Sequence, residues 1–265
     1  MKNKGKIMKE LHYLFEKTTH NLDQSTGRVL FAGDIHGHYS DFMRELEKLK
    51  FEPTKDVVYS LGDLTDRGKE NIQCLELVNE DWFKAMLGNH DLFMLLFLIT
   101  GENEESLPGR MWFSPRTGGA WFKDLNSAQK DRVRELAQIL SLKPSARQVD
   151  IHHSNGLTRF GLVHAEVPNN DWNFVLDKKK LESHADVVTE SRTKIKSFVH
   201  DRVKVHDIPH VKNIDILISG HSIVNKPLWL HNHLYIDTGS YTPDGYISVL
   251  DQEEIRLSKK MYNIS

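Results

Sequence analysis

From residue 29 onward the chain alternates short apolar runs with amphipathic stretches. Residues 29–32 form a compact apolar run of strand length, and residues 57–61 and 82–87 are two more. Between them Phe42, Leu46 and Leu49 recur at helical spacing, and so do Ile72, Leu75 and Val78. Residues 92–99 are almost uniformly apolar and read as a buried helix. This alternation of strand and helix predicts an α/β layered fold.

The pattern then loosens. Residues 101–115 carry Gly, Pro and several Glu and predict a loop, whereas 118–140 predicts helix in two pieces. Strands return at 149–153 and 158–163. Residues 169–213 are polar and charged and predict helix and loop. The last part is strand-rich, at 214–218, 234–236, 246–250 and 255–257. No internal repeat or linker divides the chain. Residues 1–27 are polar, with a weak helical pattern at Leu11, Leu14 and Phe15, and read as an N-terminal extension.

Composition narrows the functional class. At 265 residues and 39% apolar, the chain can bury one sizeable core. Its net charge of −2 gives no reason to expect a nucleic-acid or membrane partner. The single cysteine, Cys74, excludes an intrachain disulfide. The N-terminus lacks the apolar run of a signal peptide, and residues 92–99 are too few to span a bilayer. The expectation is a soluble cytoplasmic protein. Fifteen histidines prompt a search for metal chemistry.

Five polar motifs each follow an apolar run: Gly33-Asp34-Ile35-His36-Gly37, Gly62-Asp63-Leu64-Thr65-Asp66-Arg67-Gly68, Gly88-Asn89-His90-Asp91, Val163-His164-Ala165 and Gly220-His221-Ser222. In open α/β sheets, ligand groups gather just past the carboxyl ends of strands, so these motifs can converge on one site. Asp34, His36, Asp63, Asn89, His164 and His221 are an oxygen and nitrogen donor set without thiolate. It suits Mn²⁺, Fe or Zn²⁺ and is too rich in imidazole for Ca²⁺. Six donors exceed what one ion needs, and fit two if Asp63 bridges them. Any one of these motifs alone would read as a turn or a core histidine; it is their combination that points to metal.

The motif set resembles the phosphoprotein phosphatase branch of the calcineurin-like metallophosphoesterases, and more closely the small bacterial and lambda-phage serine/threonine protein phosphatases. Similarity extends through Asp66-Arg67-Gly68-Lys69-Glu70-Asn71, Gly118-Gly119-Ala120-Trp121-Phe122 and Tyr235-Ile236-Asp237-Thr238-Gly239. The resemblance implies a sandwich of two central mixed β-sheets flanked by helices, with residues 28–265 as the catalytic domain. It also implies that Asp34, His36 and Asp63 hold one divalent ion, most naturally Mn²⁺, and that Asp63, Asn89, His164 and His221 hold the other. Water activated by the two ions would attack phosphorus directly. His90 would protonate the leaving group, Asp66 would orient His90, and Arg67 and Arg192 would grip the phosphate.

The expected substrates are phosphoserine and phosphothreonine in proteins or peptides, with phosphotyrosine a further candidate. Two departures from the family pattern matter. Glu190 stands where a Trp usually precedes the second arginine, so Arg110, Arg116 and Arg202 are alternatives to Arg192. Asp91 followed by an apolar helix is similar to the symmetrical diadenosine tetraphosphate hydrolases, the alternative function. Those enzymes often lack the acid found here at Asp66. A third reading is a non-catalytic scaffold that recognises phosphoproteins. Other features are left without a function: His152-His153, His231-x-His233, Cys74 as a core residue, the acidic stretch 102–105 as a solvated loop, and Tyr241, read as a loop residue with lining of the substrate cleft as the alternative.

Overall fold

The computed structural model describes residues 13–21, 27–154, 156–200 and 203–262. Ten strands follow in chain order: β1 (Phe15–Asn21), β2 (Val29–Ala32), β3 (Val57–Ser60), β4 (Phe83–Lys84), β5 (Ala146–His153), β6 (Gly156–Val163), β7 (Ile216–Ser219), β8 (Leu228–Leu230), β9 (His233–Tyr235) and β10 (Val249–Asp251). They form two mixed sheets. One has the order β10-β2-β3-β4, with β10 antiparallel and the rest parallel. The other has the order β1-β5-β6-β7-β9-β8, with β6, β7 and β9 parallel.

Side chains alternate between faces along a strand, and both faces are used. Val29 and Phe31 of β2 point between the sheets, where they pack with Phe160, Ile216 and Leu234 of the larger sheet. The rings of Phe31 and Phe160 lie 5.1 Å apart. Leu30 and Ala32 point the other way, into a second core with Phe42 and Leu46 of the helix Tyr39–Lys48. A strand covered on both faces must be apolar throughout, which is why β2 reads as a continuous run. Each fully buried Leu or Phe contributes about 1.5–3 kcal/mol of transfer free energy.

Several expectations need correction. Leu14 and Phe15 are not helical: β1 begins at Phe15 and pairs parallel with β5, Phe15 opposite Ala146. Leu11 lies outside the described residues. An edge strand held by a distant partner leaves no local helical or strand signature. The loop expected at 101–115 contains the helix Leu107–Trp112, whose N-cap Ser106 accepts from Gly109 N, with Pro108 in its first turn. The strand expected at 255–257 is part of the helix Gln252–Tyr262. Its acids Glu253 and Glu254 in the first turn and Lys259 and Lys260 in the last match the helix dipole. The run at 82–87 gives only two strand residues, because Leu87 N leaves the ladder and donates to Pro144 O. Strand β8 had no sequence signal. Among the described residues, no helix is long and apolar enough to cross a membrane.

Candidate active site

The five motifs leave the ends of β2, β3, β4, β6 and β7 and meet at one edge of the sandwich. Two glycines permit the approach: a Cβ at Gly88 would collide with the Asp63 carboxylate, and one at Gly220 with the Asp34 carboxylate. The site backbone is also strained. His36, Asp63, Asp66, Arg67 and His221 all sit at left-handed φ, from 47° to 74°. Non-glycine residues hold such angles only when the surrounding structure enforces them.

Asp63 lies at the centre. Its Oδ2 is 3.6 Å from His36 Nε2, 3.3 Å from His164 Nε2 and 4.0 Å from His90 Nε2. Its Oδ1 accepts from His90 N at 2.9 Å. Asp34 Oδ2 is 3.9 Å from His36 Nε2, and Asp34 accepts from His221 N. Asn89 Oδ1 lies 3.1 Å from His164 Nε2. Asp34, His36, Asp63, Asn89, His164 and His221 are all buried.

This donor set fits divalent metal. The Nδ1 atoms of His36 and His164 donate to the Thr65 and Leu61 carbonyls, which leaves each Nε2 as a lone-pair donor directed inward. His221 donates from Nε2 to Glu190 O and keeps Nδ1 for a ligand. Metal-ligating histidines are oriented in this way. Two clusters have donor atoms within 4.8 Å of one another: His36, Asp63 and His90, and Asp63, His164 and His221. Asp63 belongs to both. Electrostatics point the same way. Burial, with Asp237 and Asp63 nearby, pushes the Asp34 carboxyl well above its usual range. Burial opposes charge on His164, but Asp63 and Asp34 override it and raise the imidazole to about 10, so in the absence of an ion a proton on Nε2 supplies the positive charge that a metal would replace. A buried knot of carboxylates calls for positive charge.

Beside the acid cluster, His90 Nδ1 lies 2.8 Å from Asp66 Oδ2, and its Nε2 is 3.4 Å from Arg67 Nη2. Burial disfavours an imidazolium here, but Asp63 and the Asp66 hydrogen bond prevail and the His90 pKa is raised. Asp66 Oδ1 accepts from the indoles of Trp112 and Trp121, at 3.0 and 2.8 Å. Asp66 is therefore held through both oxygens. A cavity of about 520 Å³ opens here, lined by Arg67, Asn89, His90, Arg192 and His221. Arg192 donates to His221 O at 2.8 Å. Arg110 and Arg116 also line the cavity, whereas Arg202 lies outside the described residues.

The sequence motif of the Metallophos family, the calcineurin-like phosphoesterases, matches residues 27–225. The chain belongs to the calcineurin-like phosphoesterase family. This phosphoesterase is 31% identical over 213 residues to serine/threonine-protein phosphatase 2 of Salmonella typhimurium, covering 80% of this chain and 88% of that protein. It is 46% identical to the symmetrical bis(5'-nucleosyl)-tetraphosphatase of Mannheimia succiniciproducens, but over 67 residues only, 24% of each chain. A protein serine/threonine phosphatase from Saccharomyces cerevisiae shares the fold with a TM-score of 0.53 at 12% identity, over 93% of this chain and 79% of that one.

Several residues that build the site of this phosphoesterase lie outside the ligand, acid and arginine set read from the motifs. Asp91 accepts from the backbone N–H groups of Asp63, Leu64 and Gly88, which ties the β3 and β4 loops together. Asp237, just past β9, is buried near Asp34 and accepts from Gly239 N. Glu166 accepts from Ser191 Oγ and Lys194 N and so positions the segment bearing Arg192. Tyr241 lies under the Arg67 guanidinium at 4.0 Å and meets the His36 ring edge-on. Trp112 and Trp121 lie far along the chain from Asp66, which is why spacing does not reveal them.

Proposed function

We propose that this phosphoesterase is a metal-dependent protein phosphatase that hydrolyses phosphoserine and phosphothreonine monoesters, with phosphotyrosine a further substrate. The observation that carries the reading is the His90–Asp66 pair at the cleft, 2.8 Å apart and fixed by two indoles. Similarity to a serine/threonine-protein phosphatase over 80% of the chain supports the substrate class.

In this reading Asp34, His36 and Asp63 hold one divalent ion, and Asp63, Asn89, His164 and His221 the other. Mn²⁺ is the first choice, and Fe or Zn²⁺ also suit the donors. When bound, such ions lower the pKa of water and neutralise phosphoryl oxygens. Arg67 and Arg192, which line the same cavity, orient the phosphate. His90 delivers its Nε2 proton to the leaving oxygen. Asp66 keeps His90 Nδ1 protonated and the ring in place, and the indoles of Trp112 and Trp121 keep Asp66 oriented.

The short, strong match to a symmetrical bis(5'-nucleosyl)-tetraphosphatase supports a second reading, cleavage of a dinucleoside polyphosphate. Phosphate release by the Mn²⁺-loaded protein separates the two. Phosphoserine and phosphothreonine peptides should be hydrolysed faster than diadenosine tetraphosphate. The reverse order would reassign the substrate. Activity on neither would favour a non-catalytic phosphoprotein scaffold.

A further inference from the structure

We propose that Arg110, Arg116 and Lys196 form a second anion subsite beside the reacting phosphate, and that the enzyme thereby selects phosphopeptides with acidic flanking residues. The proposal rests on the protein phosphatase reading and adds a sequence preference to it.

The arginines of this protein divide sharply. Every described arginine outside the cleft is ion-paired, from Arg28 with Asp56 and Arg44 with Asp41 to Arg256 with Glu253. Arg67, Arg110, Arg116 and Arg192 line the cleft, and among the described residues none of them is ion-paired. Lys196 joins them on the same terms, and Glu190 is the acid of the lining. The whole chain carries a net charge of −2, so this concentration of cations does not follow from general basicity.

One phosphate accounts for only part of it. A phosphoester carries about two negative charges at neutral pH, which Arg67 and Arg192 meet together with the metal centre. Arg110, Arg116 and Lys196 are exposed on the cleft lining and remain available to further negative charge on the bound molecule. The acidic stretch after the buried helix does not supply it: Glu102 pairs with Arg134, Glu104 with Lys123, and none of the acids at 102–105 lines the cleft.

The backbone that carries these cations is held in place, while their side chains are exposed. Arg110 lies on the helix Leu107–Trp112, which Trp112 pins to Asp66. The Arg116 carbonyl accepts from Arg67 Nη2 at 3.1 Å. Lys196 also lines the cleft, in the helix Thr193–Val199 that follows Arg192. A peptide crossing this cleft would lay its flanking side chains against them. For a dinucleotide the described lining offers one aromatic ring, Phe93, and Arg67 covers a face of Tyr241 beside it.

The test compares two phosphoserine peptides of equal length, one flanked by Glu and one by Gln, with Mn²⁺-loaded wild-type protein and with the triple variant Arg110→Gln/Arg116→Gln/Lys196→Gln. For the wild type, kcat/KM should favour the Glu peptide about tenfold at low salt, mainly through KM, and the preference should shrink as salt rises. In the triple variant the two peptides should become equal. Equal kcat/KM in the wild type, or an undiminished preference in the variant, would overturn the subsite and leave the phosphatase reading intact. Turnover of diadenosine tetraphosphate with neither peptide cleaved would overturn both.

Discussion

Asp63 and His90 have different tasks and should fail differently. Asp63 Oδ2 is within 4.0 Å of three imidazoles, and no other carboxylate of the site belongs to both donor clusters. Asp63→Asn is expected to abolish turnover and weaken both metal sites together. Metal content per chain, measured beside activity, checks this; full activity with one ion bound would rule out a bridging role. His90, by contrast, is proposed to act on the leaving group. His90→Asn should slow alkyl phosphates about 100-fold or more, and aryl phosphates, whose leaving groups need little protonation, much less. Equal slowing of both would remove His90 from the role of acid.

At the scale of elements, the site depends on how loops are tied to one another. Asp91 opens the helix Asn89–Ile99, and its carboxylate gathers three N–H groups from two loops. An asparagine there has one acceptor oxygen and would turn its amide N–H against at least one of those donors. Asp91→Asn should therefore cost about 1–3 kcal/mol of stability and loosen metal binding by shifting Asp63. Thermal unfolding with and without Mn²⁺ measures both effects. A variant with wild-type metal affinity would show that the β3 loop keeps its shape without Asp91. The link at Ser191 and Arg192 and the helix after it work similarly, since Glu166 anchors Ser191 and Lys194 while Arg192 lines the cleft.

Across the whole molecule, one buried cation opposes the fold. Lys194 is buried, and among the described residues its ammonium has no ion pair or hydrogen-bond partner. Burial lowers its pKa from 10.5 to about 8, against the pull of Glu166. The folded value lies below the unfolded one, so the unfolded chain binds more protons between them. Stability from this residue therefore rises with pH from about 8 to 10.5. Near neutral pH the penalty is about 3 kcal/mol. Lys194→Met should stabilise the protein by that order at about pH 7, and by much less at about pH 10. Urea unfolding at the two pH values reads this out, and an equal gain at both would place the ammonium in contact with solvent.

Much of this was legible in the sequence because it is local. A strand covered on both faces must be an apolar run, as in β2, and a helix buried on all sides must be one too, as in Asn89–Ile99. Residues just past strand ends must face one edge of the sheet, and so Asp34, Asp63, Asn89, His164 and His221 stood out by position. Long-range partners decided the rest. Strand β1 exists because β5 offers an edge, and β8 because β9 does. Trp112 and Trp121 bind Asp66, Glu166 anchors the Arg192 segment, and Arg110, Arg116 and Lys196 face one cleft, all through chain segments with no fixed spacing. The motifs named the chemistry because its donors must follow strand ends. What surrounds that chemistry is set by packing, which no run of neighbouring residues records.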